Sequence, residues 1–328
     1  MSTRQNSKTT MAIIAFFVLG LAASSFASDY PTRPITLIIP QSPGGSFDII
    51  GRSFAPTAEK LLGQVVVVSN KPGASGLIGA MALLQALPDG YTIGMDATGI
   101  GSALEWEIVN GRKPPFTRND FVKLGCLSIT TAVVVVPQNS PWKTLADLIR
   151  DCRAKPNYYA FGSGGLYGGS HLPAEVLMRA TGIKARHVPY KGGGPTLTAL
   201  VGEHVHFSTQ WDSTTIPFAR GKKLRILAVQ GDKRLKSIPD IPTVKELGFD
   251  AEWQQWFGVS VSKKTPGPIV DKLKGIVKKV AEDESFIRII ETQGGEVRYM
   301  TGDELDKFSE TETIRTVKLY KELLAETK

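Results

Sequence analysis

The stretch Pro34-Ile35-Thr36-Leu37-Ile38-Ile39-Pro40-Gln41-Ser42-Pro43-Gly44-Gly45-Ser46-Phe47-Asp48 decides the architecture. Residues 34–40 are a continuous apolar run, the signature of a strand covered on both faces of a parallel sheet. Gly44 and Gly45 make the turn, and residues 46–62 read as a helix opened by Ser46. Moving outward, residues 65–68 read as a second buried strand, 70–73 as a turn, 76–86 as a helix and 91–95 as a third strand. Strand, helix, strand, helix, strand is an α/β layer with a mostly parallel sheet.

The pattern then restarts. Strands are expected at 132–136, 158–162, 185–188, 205–208 and 224–229, with helices at 141–151, 171–180 and 195–201. Residues 253–261 read as extended, and helices follow from Pro266 or Pro268 to about 282, at 286–293 and at 303–324. Two α/β lobes result: residues 28–130 together with 252–328, and residues 131–251, with a cleft between them.

Residues 1–27 carry Arg4 and Lys8, a short apolar run from Met11 to Ala23 and Ser25-Phe26-Ala27, the pattern of a cleaved export leader. The apolar run is too short to serve comfortably as a membrane anchor. The formal charge of +8 loses two with the leader, and no basic stripe interleaved with aromatics argues for nucleic acid. Cys126 and Cys152 read either as a disulfide, which export permits, or as two buried thiols. His204 and His206 share a strand face, but no third ligand stands at metal spacing, so no metal is expected.

Several loops suit an anion. The 43–48 loop runs from a strand into a helix, where the first N–H groups lack internal partners and the helix dipole is positive. Asp48 would repel an anion it faced, so it is better placed to accept from first-turn N–H groups or from a ligand hydroxyl, ammonium or water. Ser75-Gly76, the 163–170 loop and the 190–196 loop also open helices, so each lobe brings two such loops to the cleft. Lys191 can add a charge there; Tyr167, Trp211, Trp253 and Trp256 read as an aromatic wall or as core packing, and His171 as a helix cap or packing residue. No Gly-x-Ser-x-Gly elbow, phosphate loop, His-Glu-x-x-His or dinucleotide fingerprint is present, so no catalysis and no cofactor are expected.

With these motifs in order, the chain resembles the extracytoplasmic solute receptors of tripartite tricarboxylate transporters, also called the Bordetella uptake gene receptors. The resemblance runs through Tyr30-Pro31-Thr32-Arg33-Pro34-Ile35, Pro43-Gly44-Gly45-Ser46-Phe47-Asp48, Asn70-Lys71-Pro72-Gly73-Ala74-Ser75-Gly76, Pro88-Asp89-Gly90-Tyr91, Val188-Pro189-Tyr190-Lys191-Gly192 and Pro239-Asp240-Ile241-Pro242-Thr243. It implies a type II periplasmic-binding-protein fold that closes over a small organic carboxylate in the periplasm. It further implies a monomer that hands the ligand to an integral-membrane permease of the tripartite type. One carboxylate would meet Gln41, Ser42, Pro43, Gly44, Gly45, Ser46, Phe47, Asp48, Ser75 and Gly76. The other end would meet Ser163, Gly165, Tyr167, Gly168, His171, Tyr190, Gly193 and Gln210.

Three departures from the family pattern bear on the ligand. Gln41 makes the cleft edge more polar, Tyr167 replaces a small residue and either narrows the pocket or stacks on a ring, and His206 and Gln210 stand where acidic residues are frequent. A ligand sensor that presents its closed form to a signalling partner is the alternative use of the same cleft. A hydrolase lacks a nucleophile and base to support it, and a structural envelope role leaves the glycine-rich helix starts unexplained.

Overall fold

The computed structural model describes residues 30–326, so the expected leader lies outside the described residues. The opening apolar run forms β1 (Ile35–Ile39), flanked in parallel by β2 (Val66–Asn70) and β3 (Thr92–Ala97). Their crossovers are α1 (Ser46–Leu62) and α2 (Leu77–Gln85), the latter preceded by a 3-10 turn, Ala74–Gly76. Gly63 ends α1 at a φ of 67°, a left-handed cap that most side chains resist.

The second lobe repeats the plan with β5 (Ala160–Ser163) between β6 (Arg186–Pro189) and β7 (Phe207–Trp211), again parallel. Its helices are α4 (Leu145–Ala154), α5 (Leu172–Thr181), α6 (Gly193–Val201) and α7 (Asp212–Arg220).

One strand joins the lobes. β4 (Phe121–Pro137) pairs antiparallel with β9 (Gln254–Ser262) through Thr131, then from Ala132 onward with β7 and β8 (Leu224–Val229). Beyond the switch, Val134 and Val136 face one core with Trp142 and Leu148, while Val133 and Val135 face another with Leu197 and Ile226, as strand alternation requires. Between the named strands, parallel pairing is thus confined to the three-strand unit of each lobe, narrower than the expected mostly parallel sheets, because the long crossing strands run antiparallel. The first lobe is completed by α3 (Thr98–Val109), α8 (Gly267–Ala281), α9 (Glu284–Thr292), β10 (Glu296–Thr301) on β4, and α10 (Gly302–Glu326).

Some elements depart from the sequence reading. The strand expected at 132–136 begins at Phe121; its first half hides polar residues whose bonds are internal, with Lys123 Nζ donating to Asp306 and Ser128 Oγ to the Glu296 carbonyl. Helix α3 went unread because Gly99 and Gly101 dilute its pattern, yet a Cβ at Gly101 would lie 2.0 Å from the Arg118 guanidinium. Helix α4 starts at Leu145, not at Pro141, since Thr144 and Asp147 cap each other's backbone N–H groups. Cys126 and Cys152 are free and lie in separate cores; burial pushes their thiols up to about 12 and about 11.

Candidate functional site

Two helices from opposite lobes point their N-termini at one another. Helix α1 follows Gly45 and helix α6 follows Gly192, and neither N-cap has a capping side chain. A Cβ on Gly45 would lie 3.4 Å from the Gly193 nitrogen and 3.5 Å from that of Gly194. The N–H groups of Gly45, Ser46, Phe47, Gly193 and Gly194 donate no hydrogen bond among the described residues. Two positive helix ends face to face repel, and an anion lodged between them relieves that repulsion.

Asp48 does not compete for this position. Its Oδ2 accepts from the Gly44 N–H at 3.0 Å, and its Oδ1 from Asn70 Nδ2 at 3.0 Å and Arg52 Nε at 2.9 Å. The carboxylate therefore staples the loop from behind, through Gly44 instead of a first-turn amide. Phe47 packs edge-on against Phe257 in the core, Ser42 N–H donates to the Lys191 carbonyl at 3.3 Å, and Ser46 Oγ lies 3.4 Å from Ser213 Oγ at the start of α7. Pro43 meets the other lobe through its carbonyl, 2.3 Å from a Cβ built on Gly194.

The interior behind these helix starts is polar and buried. Gln210, 1% exposed, donates through Nε2 to Ser208 Oγ at 2.9 Å, while its Oε1 has no partner among the described residues and lies 3.3 Å from a Cβ built on Gly193. Gln255 Oε1 is likewise buried and unpartnered, and faces Gly169 beside Trp211. Asp212, near the strand switch, accepts from the Thr131 and Ser213 N–H groups, and burial raises its carboxyl to about 7.

A cavity of about 290 Å³ opens beside the helix starts, lined by residues of both lobes. It collects Gln41, Ser75, Gly76, Gly165, Tyr167 and Tyr190 from the expected set, together with Lys191, and adds Trp106, Glu107 and Arg112. Ser75 Oγ donates across the lobes to the Leu166 carbonyl at 2.9 Å, and Gly165 and Gly168 pack against it. Arg112 is held by Glu107 in a bidentate pair, whereas Lys191 makes no ion pair among the described residues.

The Tyr167 ring is stacked on Trp106 of α3 at 3.6 Å between centroids, and Tyr320 of α10 closes on both edge-to-face. Tyr320 Oη lies 2.8 Å from the Tyr167 carbonyl, which it reaches as a donor. Behind the loop, His171 accepts at Nδ1 from the Tyr167 N–H and donates at Nε2 to Glu175, so its ring supports the loop. His187 stacks on His171 at 3.9 Å and bonds Ser163 Oγ at 2.6 Å; burial depresses its pKa to about 3. His206 accepts from the Ala160 N–H, and among the described residues no cluster suits a metal. Trp106, His187 and Gln255 were absent from the sequence reading: α3 was unread, and single residues in strands 186–189 and 254–262 carry no local signal of the cleft.

Two α/β lobes exchanging loops across a cleft define a solute-binding protein of the periplasmic type. The chain belongs to the tripartite tricarboxylate transporter family receptors, whose family model matches residues 50–324. BugT of Bordetella pertussis is 30% identical over 326 residues, spanning 98% of this chain and 100% of its own. The structure of the periplasmic binding protein BugD matches with a TM-score of 0.83 at 28% identity, covering 89% of this chain and 98% of that one. R. palustris Rpa4515 with adipate also matches with a TM-score of 0.83 at 28% identity, with the same coverage of both chains. The family and these structural neighbours are solute-binding proteins, and among the described residues no helix is long and apolar enough to cross a membrane.

Proposed function

We propose that this protein is a periplasmic receptor that captures a small organic carboxylate between its lobes and delivers it to an integral-membrane permease of the tripartite type. The observation that carries this reading is the pair of uncapped helix starts, α1 and α6, with five N–H groups that lack partners among the described residues where the lobes meet. The adipate bound by a structural neighbour supports the same ligand class. The lobes are taken as residues 28–130 with 252–328, and residues 131–251; the partner switch of β4 at Thr131 supports that division. A ligand touching both helix starts gains contacts only in the closed form, and this differential affinity drives closure.

The test is a thermal-shift and calorimetric screen of ligand-stripped protein against aliphatic and aromatic mono-, di- and tricarboxylates. One class binding one-to-one and raising Tm with concentration supports the proposal. A panel in which no carboxylate binds rejects it.

A further inference from the structure

We infer that the carboxylate bound here carries a neutral hydroxyl group beside its carboxyl, and that Gln210 is the residue that requires it; this rests on the carboxylate reading above. The orientation of the Gln210 amide follows from its neighbour. Ser208 has one hydroxyl proton, and it goes to the Gly162 carbonyl at 2.6 Å. Ser208 Oγ is then an acceptor toward Gln210, which must present its NH2 group there at 2.9 Å. Rotating the amide by 180° would set two acceptors against each other. Gln210 Oε1 is consequently fixed as a bare acceptor, buried and turned toward Gly193.

That acceptor sits beside the anion site. A Cβ on Gly193 would lie 3.3 Å from Gln210 Oε1 and 3.6 Å from the Gly45 Cα, so the amide oxygen and the facing helix starts share one small region. A carboxylate oxygen cannot bond a carbonyl oxygen; it goes to the N–H groups, and the adjoining ligand atom must bring a proton to Gln210. An ammonium would bring one, but it would enter a buried place whose nearby carboxylates are engaged. Asp48 is held by Gly44, Asn70 and Arg52, and Asp212 by Thr131 and Ser213. An ammonium there would have the ligand's own carboxylate as counter-charge but would set three N–H donors against the single bare acceptor of Gln210, whereas a neutral O–H completes that bond and leaves no donor over.

The test is calorimetry on ligand-stripped protein with matched sets of C4 to C6 dicarboxylates: unsubstituted, 2-hydroxy and 2-amino. The hydroxy acid is expected to bind about 10-fold or more tightly than its unsubstituted match, since the latter leaves the buried oxygen bare. Gln210→Met should reduce that preference to about 3-fold or less, chiefly by weakening the hydroxy acid. Gln210→Glu, which keeps an acceptor and adds charge, should move the preference to the amino acid, and serves if the Met variant fails to fold. Equal binding of hydroxy and unsubstituted acids by the unaltered protein, or a preference that survives Gln210→Met, overturns this inference and leaves the carboxylate reading standing. If no member of any set binds, this inference falls, and the wider carboxylate panel above decides the carboxylate reading separately.

Discussion

Single atoms decide what the glycines of the cleft do, and Gly44 and Gly194 should fail differently. A Cβ on Gly194 would meet the Pro43 carbonyl of the other lobe at 2.3 Å, so Gly194→Ala obstructs the approach of the loops. We expect it to weaken carboxylate binding about 10-fold or more in calorimetry while the unliganded Tm stays nearly unchanged, because no core contact is lost. At Gly44 the nearest atom is 3.7 Å away but φ is +82°, so Gly44→Ala adds about 1 kcal/mol of backbone strain and should lower Tm instead. His187 yields a pH prediction. Burial holds it neutral, with a pKa near 3 against the ordinary 6.5, so its contribution to stability is complete above 6.5 and is lost as pH falls toward 3. Asp212, raised to about 7, acts in the opposite sense: its contribution is complete below the ordinary 3.8 and is lost as pH rises through 7. The wild-type curve therefore mixes both, and the difference against His187→Phe isolates one. The variant's Tm should gain on wild type steadily between pH 6.5 and 4; parallel curves would remove His187 as a titrating group.

At the scale of elements, α3 and the 163–171 loop act together. Trp106 and Tyr167 form a half-buried stacked pair between lobes, and Tyr320 holds the Tyr167 carbonyl. Such a pair contributes about 0.5–1.5 kcal/mol beyond its buried area, and it belongs to closure because its partners sit on different lobes. Tyr167→Ala and Trp106→Ala should each weaken aliphatic and aromatic carboxylates by the same factor, roughly 3- to 10-fold in calorimetry. A loss confined to aromatic ligands would instead make Tyr167 a wall of the binding site. The sequence showed the β1–α1 and β5–α5 loops clearly, since apolar runs, glycines and helix starts are local signals. It did not show α3, so Trp106 could not be matched to Tyr167. Nor did it show that Asp48 turns back onto Gly44, because that bond also depends on Arg52 and on Asn70 at the end of β2. The polar half of β4 was hidden for a related reason: Lys123 and Ser128 are satisfied by α10 and β10, far along the chain.

The whole molecule closes about few connections. Where β4 changes partners, Ala132 N–H donates to the Trp253 carbonyl at 3.0 Å, Trp253 N–H to that of Gln230 at 2.6 Å, and Gln230 N–H to that of Ala132 at 2.7 Å. This ring of backbone bonds ties the crossing strands together where the chain passes between the lobes. The facing helix ends oppose closure until an anion lies between them, so ligand-free protein should populate a more open form. Small-angle scattering tests this directly: saturating carboxylate should reduce the radius of gyration of the wild type. Gly194→Ala should stay expanded at ligand concentrations that saturate its weakened site, since the obstruction at Pro43 acts on closure itself. If ligand-free and liganded wild type scatter identically, the helix ends do not set the equilibrium, and the contact between the 163–171 loop and α3 is strong enough to hold the lobes together unaided.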